Sequence, residues 1–121
     1  MIIDERMAAF INSFDKGNTV FLDELEKYAR ETDVPIIRKQ MQGLLKFLLA
    51  FLKPASILEV GTAIGFSAIL MSEYGPKDCR ITTIEKYEKR IPLARENFKK
   101  AGMEDRITLL EGDATDILKE L

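Results

Sequence analysis

The residues best suited to chemistry gather first in ILEVGTAIGFSAIL, residues 57–70. An apolar run reaches an acid, Glu59, and breaks at two glycines, Gly61 and Gly65. It then resumes as small and apolar residues at helical spacing, with Ser67 among them. A chain that turns sharply from strand to helix needs a residue tolerant of positive φ, and Gly61 supplies it. Gly65 lets the new helix lie close to its strand or lets a ligand touch the backbone. The helix start offers unpaired N–H groups and Ser67 a hydroxyl, so a carboxylate has a place to dock. Glu85 ends the run RITTIE about 20 residues on, where an acid accepts hydrogen bonds from both ribose hydroxyls of a nucleotide. Asp113 and Ala114 close a third run, RITLLEGDA, beside the place of an adenine.

The spacing narrows the ligand. A dinucleotide fingerprint reads G-x-G-x-x-G, and its middle glycine admits the pyrophosphate. Here Ala63 and Phe66 occupy the second and third glycine positions, and no G-K-[ST] follows to make a P-loop. The loop suits a nucleoside without phosphates. S-adenosylmethionine is the common cofactor of that kind, with Glu59 near its amino-acid end. Two other readings stand beside it: glycines that only make a tight turn in a non-catalytic assembly module, and an NAD-type half-domain.

Composition removes other chemistries. The chain of 121 residues contains no histidine, which rules out Ser-His-Asp and Cys-His nucleophiles and the usual zinc sites. Its one cysteine, Cys79, cannot form an internal disulfide, and a cytoplasmic address is the default. A net charge of −2 argues against a strongly basic nucleic-acid binder, and the basic stretch from Lys86 to Lys100 reads first as a solvated helix face. No run approaches the roughly 18 to 20 apolar residues of a membrane span.

The elements that must position these residues fall into two regions. Residues 1–53 read as a helical cap or dimerisation region. MIIDERMAAFINSF places Ile3, Met7, Phe10, Ile11 and Phe14 on one stripe, and TVFLDELEKYARET follows with Thr19 or Asp23 as cap. IIRKQMQGLLKFLLAFL forms a third helix with Pro35 in its first turn, stopped by Lys53–Pro54. Residues 54–121 then alternate strand and helix. SILEV is a short buried strand, FSAILMSEYG a helix, RITTIE a strand, and a helix running regularly from near Ile91 precedes RITLLEGD and the start of another helix. Alternation of this length means right-handed crossovers and a parallel sheet. The fold class is α/β: amino-terminal helices followed by the βαβαβ half of a Rossmann-like doubly wound sheet.

The stretches VPIIRKQMQGLLKFLLAFLKPASILEVGTAIGFSAILMSE, ITTIEKYEKR and DRITLLEGDA resemble the metal-dependent O-methyltransferases related to caffeoyl-CoA and catechol O-methyltransferases. Within them the likeness is greatest to the bacterial branch that includes the tRNA 5-hydroxyuridine methyltransferase. The resemblance implies cofactor contacts at Ile37, Gly61, Ser67, Glu85, Asp113 and Ala114, with Glu59 and Thr62 lining the same pocket and Met41 closing it from the third helix. It implies a methyl acceptor that is a small catechol-like phenol or a modified tRNA uridine, and Mg2+ in the full-length family. Members of that family are longer, and the strands expected to carry the metal ligands lie beyond the third. The chain therefore reads as an amino-terminal portion, inactive alone, whose first strand is an open apolar edge. Such an edge is expected to pair, most simply with the first strand of a second copy, antiparallel in a homodimer.

Overall fold

The structure, a computed structural model, describes residues 4–13 and 16–121. Ile3 and Phe14 of the expected first stripe, and the Ile11 side chain, lie outside the described residues. Helix α1 (Glu5–Asn12) begins where the Asp4 carboxylate accepts the Arg6 N–H at 2.8 Å, and its Met7 and Phe10 are exposed. In α2 (Val20–Glu31), Thr19 rather than Asp23 is the cap, its hydroxyl accepting the Leu22 N–H at 3.2 Å. Leu22, Leu25 and Ala29 recur at helical spacing and are buried.

Helix α3 (Lys39–Leu52) starts later than Pro35 suggested. Residues 34–38 run without regular structure, and Arg38 at φ −69°, ψ 160° is the N-cap. The cause is tertiary. The Ile37 carbonyl accepts the side-chain amide of buried Gln42 at 3.0 Å, which holds the segment outside the helix. At its other end α3 stops at Lys53, in the left-handed region at φ 46°, and Pro54 follows.

The second region follows the expected alternation: β1 (Ser56–Val60), α4 (Phe66–Tyr74), β2 (Arg80–Glu85), α5 (Ile91–Lys100), β3 (Ile107–Glu111) and α6 (Ala114–Ile117). The strands form one parallel sheet in the order β1-β2-β3, with Glu59 opposite Thr83 and Glu85 opposite Glu111. Ile81, Ile107 and Leu109 join α4 and α5 side chains in the core, and Leu22, Leu25, Ala29 and Leu49 bring α2 and α3 into the same cluster.

SILEV departs from the buried strand expected of it. Its residues alternate exposed and half-buried, with Leu58 at 51 % and Val60 at 60 % exposure. The reason is position: β1 is hydrogen-bonded to β2 alone and forms an edge of the sheet. Among the described residues, no helix is long and apolar enough to cross a membrane.

Candidate functional site

Parallel strands all end on one side, so the loops after β1, β2 and β3 meet along the carboxyl edge of the sheet. Backbone hydrogen bonds lace them together. Gly61 N and Thr62 N donate to Ile84 O at 2.8 and 3.2 Å, and Gly112 N donates to Glu85 O at 2.9 Å. The loop from Gly61 to Gly65 has positive φ at Gly61 (93°), Ala63 (51°) and Gly65 (93°).

The two glycines serve different ends. A Cβ on Gly61 would meet nothing within 4 Å, so open space lies beside it. A Cβ on Gly65 would stand 2.7 Å from Cε1 of Phe98. The close approach at Gly65 is thus to α5, rather than to its own strand or a ligand. The neighbouring Asn97 donates its side-chain amide to the Ile64 carbonyl at 2.8 Å, so α5 holds the loop at two successive residues.

Glu85 joins this loop to the next. One carboxylate oxygen accepts Ala63 N at 2.7 Å, and the other accepts Lys86 N and Tyr87 N, each at 3.1 Å. A carboxylate offers about four acceptor positions. Three are used, so one acceptor position remains, and any donor beyond one must exchange with a backbone N–H.

Behind Glu85 lies a chain of hydroxyls ending on Glu59. Thr83 donates to Glu59 Oε1 at 2.7 Å, Ser67 donates to Oε2, and the Thr62 and Thr83 hydroxyls meet at 2.7 Å. With the Thr83 proton on Glu59, Thr62 is the donor to Thr83. Burial pushes the Glu59 carboxyl above the ordinary 4.5; the hydroxyls of Ser67 and Thr83 oppose that shift, and the charge of Glu85 adds to it. A raised acid binds its proton more tightly folded than unfolded, so its contribution is fully present below pH 4.5 and is lost as pH rises through the folded value. Glu59→Gln removes this titration. Thermal unfolding of the variant across the weakly acid range will show a flatter dependence on pH than the parent. Parallel curves would mean that Glu59 titrates normally.

Asp113 caps α6, its carboxylate accepting Thr115 N at 2.8 Å. That backbone hydrogen bond, helped by the ammonium of Lys86 at 3.8 Å, holds its carboxyl below the usual value. Two depressions open along this rim and share Gly61. One, of about 190 Å³, is walled by Pro35, Ile36, Ile37, Thr62, Phe66 and Ser67. The other, of about 300 Å³, is walled by Val60, Ile84, Glu85, Lys86, Asp113 and Ala114.

A family model described as O-methyltransferase matches residues 12–121. The chain belongs to the O-methyltransferase family. It is similar to the catechol O-methyltransferase of Niastella koreensis, 40 % identical over 81 residues, which covers 66 % of this chain and 37 % of that enzyme. The catechol O-methyltransferase of Mycobacterium tuberculosis is 32 % identical over 115 residues, covering 93 % of this chain and 52 % of that one. Among solved structures, SAH-bound methyltransferase PaMTH1 of Podospora anserina matches with a TM-score of 0.85 at 30 % identity, covering 100 % of this chain and 56 % of its own. The O-methyltransferase TomG of Streptomyces achromogenes, in complex with SAM, matches at 0.78 and 28 %, with the same coverage. The match covers between 37 % and 56 % of the length of these relatives. The sheet and its helices are accordingly part of a Rossmann-like methyltransferase fold.

Within this O-methyltransferase fold, Ile37, Gly61, Thr62 and Ser67 line one depression, and Gly61, Glu85, Asp113 and Ala114 the other. Glu59 sits behind both, bound to Ser67. Met41, half-buried in the first turn of α3, lines neither. Among the described residues, no group of three or more Cys, Asp or Glu side chains could hold a metal ion. Three residues that shape the site escaped the sequence reading: Thr83, Gln42 and Asn97. Two of them left a faint signal. Asn97 falls on the buried stripe of α5 with Ala94 and Phe98, and Thr83 on the strand face shared by Ile81 and Glu85.

Proposed function

We propose that this carboxyl edge holds S-adenosylmethionine, or its demethylated product S-adenosylhomocysteine, as part of an O-methyltransferase. The observation that carries the reading is the Glu85 carboxylate, set where the three strand ends meet beside a loop unsuited to phosphates. Glu85 keeps an acceptor position for a ribose hydroxyl, and Asp113 and Ala114 wall the space for the adenine. The amino-acid end fits the smaller depression. There Ser67 and the free N–H groups opening α4 suit its carboxylate, Glu59 suits its ammonium, and Ile37 and Thr62 pack against its chain. Gly61 lets the ligand pass between the two depressions, because no side chain stands there. The neighbours solved with SAH or SAM support the same cofactor.

When bound, S-adenosylmethionine supplies an electrophilic methyl group on its sulfonium. The residues of this chain bind and orient it; the acceptor, a small phenolic hydroxyl or a modified tRNA uridine, is positioned by other parts of the full-length enzyme. Methyl transfer by these residues alone is not expected.

Calorimetric titration with S-adenosylmethionine, with NAD as control, tests the reading. Glu85→Ala will weaken S-adenosylmethionine binding by about 1.5–3 kcal/mol, the range of a hydrogen bond to a charged group. Because Glu85 also holds three backbone N–H groups, denaturation of the same variant is measured alongside. A folded parent that takes up NAD in preference, or a folded Glu85→Ala protein with undiminished affinity, overturns the assignment.

A further inference from the structure

The chain of hydroxyls behind the sheet edge has a fixed direction, and Thr83 sets it. Thr83 stands opposite Glu59 in the strand register, in the doubly paired strand β2, and is 0 % exposed. It lines neither depression on the sheet edge. A hydroxyl has one proton to donate and two acceptor positions. The Thr83 proton goes to Glu59 Oε1 at 2.7 Å, so Thr62 is the donor where the two threonine hydroxyls meet at 2.7 Å. The chain therefore runs from Thr62 through Thr83 to Glu59, and Ser67 of α4 donates to the other carboxylate oxygen.

Donation to both oxygens fixes the plane of the Glu59 carboxylate. It also favours the charged form, because an ionised carboxylate only accepts whereas a protonated one must donate. The groups that face Glu59 are Ser67 from α4, Thr83 and the charge of Glu85 from β2, and Thr62 acting through Thr83. Burial and Glu85 oppose ionisation; the two hydroxyls that donate to Glu59 favour it. Among the described residues, Glu59 makes no ion pair. A half-buried carboxylate held by two donors and lacking a cation suits a ligand that brings one.

We infer that Thr83 is a positioning residue for the ligand's ammonium: its hydroxyl keeps Glu59 ionised and aligned as the counter-ion of the cofactor's amino-acid end. This role rests on the cofactor reading proposed above, and Thr83 plays it without touching the ligand. Without the Thr83 hydroxyl, one of the two hydrogen bonds that lower the Glu59 pKa is lost, and the carboxyl protonates at a higher pH. The ammonium then lacks its partner over a wider acid range.

Calorimetric titration of S-adenosylhomocysteine, and of its analogue lacking the amino group, tests this across pH in the whole chain, Thr83→Val and Thr83→Ser. Near neutral pH, Thr83→Val should weaken S-adenosylhomocysteine about tenfold and the analogue less than about twofold. The pH below which S-adenosylhomocysteine affinity falls should rise in Thr83→Val. Thr83→Ser keeps the hydroxyl and should follow the parent in both respects. If Thr83→Val does not fold, Thr83→Ala, which also lacks the hydroxyl, carries the same expectations. Equal weakening of both ligands, or a pH profile the same as the parent's, would overturn the inference and leave the cofactor reading standing. A folded parent that binds neither ligand would overturn both.

Discussion

Replacing Gly65 with alanine will destabilise the protein by about 2–4 kcal/mol, combining left-handed strain with overpacking. The added methyl would stand 2.7 Å from Cε1 and 3.2 Å from Cζ of Phe98. Phe98 is not a mobile surface tip: it is 3 % exposed and belongs to the core cluster, so its ring cannot swing aside without opening a void. The backbone at φ 93° resists a side chain besides. Displacing Phe98 would also disturb Asn97, the next residue back, and with it the hold on the Ile64 carbonyl. Gly61 makes the matched comparison. It has the same φ, yet its Cβ would meet no atom within 4 Å, so Gly61→Ala bears only the conformational strain of about 1–2 kcal/mol. Its methyl would instead enter the space between the two depressions, and ligand affinity should fall further than stability does. Urea midpoints for both variants, with a titration of S-adenosylhomocysteine into Gly61→Ala, separate the two roles. A Gly65→Ala protein as stable as its parent would show that α5 does not press on the loop.

Gln42→Leu is expected to cost a further amount of similar size, about 2–4 kcal/mol, although it puts an apolar side chain of similar volume at a fully buried position. The reason lies in what Gln42 touches. Its amide nitrogen donates to Glu26 Oε2 at 2.8 Å and to the Ile37 carbonyl at 3.0 Å, while its oxygen accepts from the Asn18 amide at 3.0 Å. Glu26 is itself buried and, among the described residues, would keep only Lys39 at 3.4 Å and Arg30 at 3.6 Å. Leucine would leave a buried carboxylate, a carbonyl and an amide each short of a partner. The effect should reach the site as well, because the released Ile37 carbonyl belongs to the segment that walls the smaller depression. Guanidinium denaturation measures the first consequence, and cofactor titration the second. A variant of parental stability would mean that water replaces Gln42 without loss.

Where local chemistry determines an element, the sequence shows it to within a residue or two. Gly75–Pro76 ends α4, Pro92 marks the start of α5, and β2 spans RITTIE as read. Where a distant partner decides, the sequence is silent. Pro35 fits the first turn of a helix, but Gln42 captures the Ile37 carbonyl and α3 waits until Lys39. The strand SILEV looks buried from its composition alone; the exposure of Leu58 and Val60 follows from its place at the sheet edge, which the resemblance implies and the run itself does not. The meeting of Gly61, Glu85 and Asp113 was legible because parallel strands have no other way to end. The hold of Asn97 on Ile64 was not, since 33 residues separate the pair. Met41, in the first turn of α3, is half-buried and lines neither depression.

The position of β2 has one more consequence. It is paired on both flanks, whereas β1 and β3 are each paired on one, so the sheet does not open uniformly. Under native-state hydrogen–deuterium exchange, β2 amides are the slow ones and β1 amides exchange through smaller excursions. Glu59 and the approach to Gly61 therefore ride on a strand that frays early, and a ligand seated across the loops slows deuterium uptake there most of all.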